Sequence, residues 1–380
     1  MKQQRGLAAI AVWTVPFLFA FGEDRAEANS APAAVIVAGS GTVADADTIN
    51  SAIAASPQGA EIVIRGNCLI TQTVRLLGNR SYRGESRTGT ILKQADGANL
   101  PALVASSGFL DNTAYTGAPL SVRDLTLDGN KANNTRAQTD GLVLRAWLSV
   151  VENLQITRMG GNGLRLTNPS ANGTRLKNTQ VNGRIANNLI EESGLHGVFV
   201  DDPGNSVTDW MLADNWIAAS GIDGIHLDNV AGWFVVRNHI YGVGRHAIYA
   251  NRLYASSISD NYIEDFGSTN SVGTWCGICG IVNNGGGSTI AGNRIFNFSK
   301  RCNPASDFRY LSLEINHGTG TVVVTGNTMQ GTGSARGYGI GEYFAAKGER
   351  KLTVVSTGNF IEGVQTHRMT DPHVTVSTGE

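Results

Sequence analysis

From the middle of the chain onward one short polar–apolar phrase recurs: Asn188-Leu-Ile190, Asn215-Trp-Ile217, Asn238-His-Ile240, Asn261-Tyr-Ile263, Asn293-Arg-Ile295, Asn327-Thr-Met329 and Asn359-Phe-Ile361. The intervals are 27, 23, 23, 32, 34 and 32 residues, and Asn153-Leu-Gln-Ile156 is a looser earlier copy. Between these lies a second phrase, a small residue followed by alternating apolar positions: Gly141-Leu-Val-Leu, Gly163-Leu-Arg-Leu, Gly197-Val-Phe-Val, Gly224-Ile-His-Leu, Ala247-Ile-Tyr-Ala and Gly280-Ile-Val. Each alternates with period two and is too short for a helix. No helical pattern of useful length joins them, which excludes βαβ crossovers. A period near 23 residues with two or three short strands is what one coil of a parallel β-helix requires. Each strand then pairs with its counterpart one coil away, at about 4.8 Å. Asn at a fixed corner stacks on itself, its amide serving turn backbone and neighbouring Asn alike. The longer intervals place extra residues in loops. A leucine-rich repeat would need a Leu-rich pattern that is absent.

Composition agrees with many short strands joined by tight turns. Gly is abundant at 47 residues, and charged residues make up 16% of the chain, against about a quarter in ordinary domains. A formal net charge of −1 with no basic block argues against nucleic acid or an anionic membrane as the main partner. At the start, Lys2 and Arg5 precede an apolar run from Leu7 to Phe21, and Ala26-Glu27-Ala28 offers a cleavage site. This pattern predicts a signal peptide over 1–28, export, and an oxidising destination. Cys276 and Cys279 form an isolated C-x-x-C, a weak zinc signal without further ligands at suitable spacing.

The segment Asp47-Thr-Ile-Asn-Ser-Ala-Ile53, followed by Glu61-Ile-Val-Ile64, resembles the N-terminal cap and first coil of the pectate-lyase-like β-helix superfamily. Leu125-Thr-Leu-Asp-Gly-Asn-Lys-Ala-Asn-Asn134, with Asp140-Gly141 after it, is similar to a phrase of its tailspike and polysaccharide-lyase members. The resemblance implies an all-β fold, a right-handed parallel β-helix with a short N-terminal capping helix, over 29–365, leaving 366–380 as a tail. It implies less about chemistry, because the superfamily includes lyases, hydrolases, epimerases and non-catalytic adhesins. On this fold Cys68 lies about 30 Å from Cys276 at the coil spacing, too far for a bridge. Cys276 and Cys302 flank one inserted loop and are the expected disulfide. The tail carries no heptads, so a monomer is expected.

Alternating the second phrase gives outward columns along the axis: small residues from Gly141 to Gly280; Val143, Arg165, Phe199, His226, Tyr249 and Val282; and Arg145, Thr167, Asp201, Asp228, Asn251 and Asn284. A corner set precedes each strand: Asp140, Asn162, His196, Asp223, His246 and Cys279. A small column beside a polar and aromatic one predicts a shallow groove suited to an extended sugar chain. Three of the seven histidines fall in these columns in the central coils, so the catalytic candidates are His196, Asp201, Asp223, His226, Asp228, His246 and Tyr249. Elimination on a uronate polymer would use Tyr249 or His226 as base or acid. Arg165, Arg252 or a protonated histidine would neutralise the sugar carboxylate. No cofactor is required, although a Ca²⁺ on Asp201, Asp202 and Asp228 is a further route. Hydrolysis would instead pair Asp201 with Asp228, about 5 Å apart, or diagonally with Asp223. Arg145, Arg165, Phe199, Asn251, Arg252 and Glu314 are candidates for substrate contact. The Asn-Thr-Asp and Gly-His-Gly motifs of polygalacturonases are absent, and Asp371-Pro-His373, which echoes a mannuronan epimerase phrase, lies beyond the last repeat. The first expectation is a secreted polysaccharide lyase acting on an acidic glycan. A glycoside hydrolase comes second, and a non-catalytic carbohydrate-binding β-helix third.

Overall fold

A computed structural model describes residues 34–298, 302–332 and 339–378, so the expected leader lies outside the described residues. The strands wind as coils, each contributing one short strand to each of three parallel sheets. The coil built from Phe234–Val236, His239–Tyr241 and Ile248–Leu253 is typical. Every one of its strands pairs in parallel with its counterpart in the coils before and after. The chain is a right-handed parallel β-helix. An α-helix over Asp45–Ala55, wider than the resemblance implied, covers its N-terminal end with Ile49 and Ile53 buried.

The Asn phrase marks the corner between the first and second sheets. Each ladder Asn follows a residue of positive φ: Asn187, Asp214, Arg237, Asp260, Gly292, Gly326 and Gly358 lie between 53° and 67°. Gly, Asn and Asp tolerate that conformation best, which is why they dominate the position. The Asn that follows repairs the backbone pairing broken by the bend. From Asn215 to Asn359, each Asn accepts the backbone N–H and the Nδ2 amide of the Asn one coil earlier, at 2.9–3.1 Å. The looser copy is in register at Leu154, whose N–H donates to Asn188.

Inside, Ile190, Ile217, Ile240, Ile263, Ile295 and Met329 stack in one fully buried file. At about 1.5–3 kcal/mol for each fully buried aliphatic side chain, such files hold the coils in register. A one-residue slip would turn the whole file outward.

Three expectations are corrected. The segment from 366 is no tail: Thr366–Thr370 and Val374–Ser377 extend two of the sheets. Arg368 there pairs with the wholly buried Glu342 at 2.6 Å, so removing it would strand a buried carboxylate. The disulfide joins Cys276 to Cys279, and Cys302 is buried with its thiol 3.5 Å from the Phe266 carbonyl. Cys68 is an unbridged, buried thiol as expected. Finally, the sixth coil is shifted by three residues. Ile278 pairs with Ile248, so the column members there are Cys276, Gly277, Cys279 and Ile281 in place of Cys279, Gly280, Val282 and Asn284.

Candidate active site

The third sheet runs through Asp140–Leu144, Leu164–Thr167, Val198–Asp201, Ile225–Leu227, Ile248–Leu253, Thr274–Asn283 and Asp307–His317. Its corner column is a second hydrogen-bonded ladder. Asp140 accepts the Asn162 N–H at 2.8 Å, and Asn162 accepts the His196 N–H at 3.2 Å. His196 Nδ1 accepts the Asp223 N–H at 3.3 Å, and Asp223 Oδ1 accepts the His246 N–H at 3.0 Å. His246 Nδ1 in turn accepts the Cys276 N–H at 3.1 Å. The position therefore asks only for an acceptor, and Asp, Asn and neutral His all qualify. His196 and His246 have a structural duty that His226 and Tyr249 lack.

His226 rises from the outward column, three residues after Asp223, and its Nδ1 lies 2.7 Å from Asp223 Oδ2. A carboxylate can only accept, so His226 Nδ1 donates, which in the neutral ring leaves Nε2 as the acceptor. Asp223 is buried, which alone would raise its pKa. The adjoining His196 imidazole, the hydrogen bond from His226 and the nearby His246 prevail and hold it well below the usual carboxylate range. Burial lowers the pKa of His246 against the pull of Asp223. Burial raises that of Tyr249, and Asp223, Glu314 and Asp228 add to it, so its phenol stays protonated. The rings of His226 and Tyr249 are 5.0 Å apart on adjacent coils, and those of His196 and His226 are 4.6 Å apart. Phe199 closes the cluster edge-on to His226 at 5.3 Å.

His196, Asp223, His226, His246 and Tyr249 line a hollow of about 330 Å³ together with Arg245. A second, of about 210 Å³, adjoins it beyond His246 and Tyr249, lined by Cys276, Cys279, Arg309 and Glu314. Glu314 is thus near the site, ion-paired to Arg309 at 3.2 Å.

The remaining candidates are placed differently. Arg145 does not face the groove; it is wholly buried. Its guanidinium donates to the carbonyls of Asn168 and Gly108 at 2.8 Å and of Thr174 at 3.1 Å, tying two loops down. Asp202 is no calcium ligand in waiting: it is buried, with both oxygens taken by the N–H groups of Ser206 and Val207 at 2.8 Å. Asp201 and Asp228 share a column and bond different partners, Asp201 bonding Arg165 and Asp228 bonding Asn251. Arg165 is held by Asp140 as well as Asp201, while Arg252 leaves the groove for Asn205 and the face of Tyr254. The cation that reaches the hollow is Arg245, with its guanidinium 5.7 Å above the Trp275 ring. It has no carboxylate partner among the described residues. Column reasoning missed it because it precedes the corner, although its adjacency to His246 was a usable signal. Arg309, missed as well, stands on the Asp307–His317 strand, outside the repeating phrases.

The coils and the two ladders define a right-handed parallel β-helix. No family model matches the chain, and no curated protein matches it. Among solved structures it is similar to the A-module of the Azotobacter vinelandii mannuronan C-5 epimerase AlgE4, with a TM-score of 0.59 and 17% identity over 89% of this chain and 97% of that one. It is similar also to the DFA-IIIase of Arthrobacter chlorophenolicus A6 without its lid, in complex with GF2, at 0.52 and 14% over 93% and 94%. The Dettilon tailspike protein gp208 aligns at 0.52 and 14% over 86% of this chain and 68% of its own. At such identities the likeness is one of fold.

Proposed function

We propose that this protein is an exported polysaccharide lyase that cleaves an acidic, uronate-containing glycan lying along the third sheet. The observation that carries the reading is the Asp223–His226 pair beside Tyr249. His226 Nε2 is the base that takes the C5 proton, and Asp223 holds the ring in position and stabilises the imidazolium that forms. Arg245 binds the sugar carboxylate, whose negative charge grows as C5 is deprotonated. Tyr249, kept protonated by its surroundings, donates its proton to the glycosidic oxygen as the C4–O4 bond breaks and C4=C5 forms. Related folds in proteins whose names refer to mannuronan and to DFA-III agree with a carbohydrate in the groove.

The arrangement bears on stereochemistry. His226 and Tyr249 rise from the same side of the sheet on adjacent coils, so the proton and the leaving oxygen are reached from one face of the sugar. That favours syn elimination and uronates of gluco or manno configuration, in which H5 and O4 share a ring face. Inversion at C5 would call for a second acid on the opposite face. Mass spectrometry of products from polymannuronate, glucuronan and polygalacturonate tests the reading. Unsaturated fragments lacking the elements of water are expected from the first two. Fragments that have gained water, or no fragments from any glycan, would overturn it.

A further inference from the structure

The Cys276–Cys279 bridge occupies a place in the sheet that stability does not explain. A disulfide constrains the unfolded chain more the longer the loop it closes, and this one closes a separation of only three residues. What it does occupy is the site's own geometry. In three consecutive coils the corner residue meets the outward residue three positions later: His196 with Phe199, Asp223 with His226 and His246 with Tyr249. Cys276 and Cys279 are the next such pair, in register with His246 and Tyr249. Cys279 is partly exposed in the second hollow, its sulfur 3.5 Å from His246 Nδ1. One ligand atom from each of His246, Cys276 and Cys279 falls within 4.8 Å of the others.

We propose that Cys276, Cys279 and His246 form a reductively opened site for a soft divalent cation of the zinc type. Two molecules of an external thiol open it. The first, as thiolate, attacks Cys279 Sγ and releases Cys276 as the thiolate; the second resolves the mixed disulfide, leaving two protein thiols and one oxidised disulfide of the reagent. The metal then displaces both thiol protons. Two thiolates and an imidazole supply three ligands of a tetrahedron, and the fourth position opens to the groove. The His246 lone pair that now accepts the Cys276 N–H turns to the metal. The bridged form offers no thiolate and binds no metal. The site is independent of whether the neighbouring groove is a lyase.

The test uses the full folded chain, bridged and after treatment with dithiothreitol followed by removal of the reagent without oxygen. Thiol titration in denaturant, after removal of the reagent, should count two more thiols in the reduced protein than in the bridged one. Equilibrium dialysis against Zn²⁺ should give one tightly held ion in the reduced protein and none in the bridged one. Co²⁺ should give sulfur-to-metal charge transfer and tetrahedral d–d bands. Cys276→Ser with Cys279→Ser should abolish binding, and His246→Gln should weaken it at least tenfold. A bridge that resists dithiothreitol while the fold is intact overturns the proposal, as does a reduced protein that holds no more zinc than the bridged one. The comparison of bridged and reduced wild type decides even if a variant fails to fold.

Discussion

The two ladders do the same work with different residues. At the corner between the first and second sheets the acceptor is Asn in coil after coil from Asn188 to Asn359. At the corner leading into the third sheet the same demand is met by Asp140, Asn162, His196, Asp223 and His246 in turn. A purely structural position converges on the side chain that both donates and accepts best. Where the acceptor changes with every coil, something beyond backbone repair is choosing it. Here the choice surrounds His226 and Tyr249 with a buried carboxylate and two imidazoles. The ladder makes the scaffold rigid, and the outward column three residues later carries the chemistry.

The comparison breaks most readily at His226. His226→Ala removes the base and leaves every rung of both ladders intact. Turnover on the cleaved polyuronate should fall about a thousandfold, within the range a positioned base supplies, while the denaturant midpoint hardly moves. If activity survives, the outward column is not the reactive one.

Asn238→Ala probes the opposite side. It orphans the Asn215 N–H, and it withdraws the amide that donates to the Leu212 carbonyl at 2.9 Å and to Asn261 at 3.0 Å. With about 1–3 kcal/mol for each buried group left unpaired, the loss should be about 3 kcal/mol in urea unfolding. Activity per folded molecule should be retained. Tyr249→Phe is milder and again purely chemical, since the ring packing on His226 and His246 is kept. A fall of about a hundredfold, largest on substrates with poor leaving groups, is expected in steady-state kinetics.

The Asn ladder, the corner column and the central cluster were legible because they rest on register. Between Asn188 and Ile263 the repeats are short and regular, so neighbours on adjacent coils can be read directly. Legibility fails where a loop folds back. Nothing in the alternation around Arg145 shows that 108–117 and 168–176 close over it, because those contacts are not periodic. The sixth coil misleads for another reason. Gly277-Ile-Cys-Gly and Gly280-Ile-Val are equally good phrases three residues apart, and only the stacking of Ile278 on Ile248 and Leu311 chooses between them. The expected disulfide fails because flanking one inserted loop does not bring Cys276 to Cys302, whereas Cys279 lies beside Cys276 on the same strand.

The smallest effect expected separates the histidine rungs from the Asn rungs through pH. An Asn ladder does not titrate. His246 is half-buried, and its surroundings hold its folded pKa below the unfolded value of about 6.5. Its contribution is therefore complete above that value and is lost as pH falls through it toward the folded pKa, because the unfolded chain takes up the proton first. Asp223 acts in a separate window: its depressed folded pKa preserves its contribution until pH drops below the usual carboxylate value of about 3.9. Between these windows the histidines dominate the slope, and His239, lowered by burial against the opposing pull of Glu264, adds to it. His246→Gln keeps a ladder acceptor and removes the titration. Stability measured by urea unfolding should then depend less steeply on pH below 6.5 than in the wild type, with the remaining slope assigned to His239. An unchanged slope would mean that His246 is not held neutral by its rung, and the distinction between the two ladders would reduce to composition alone.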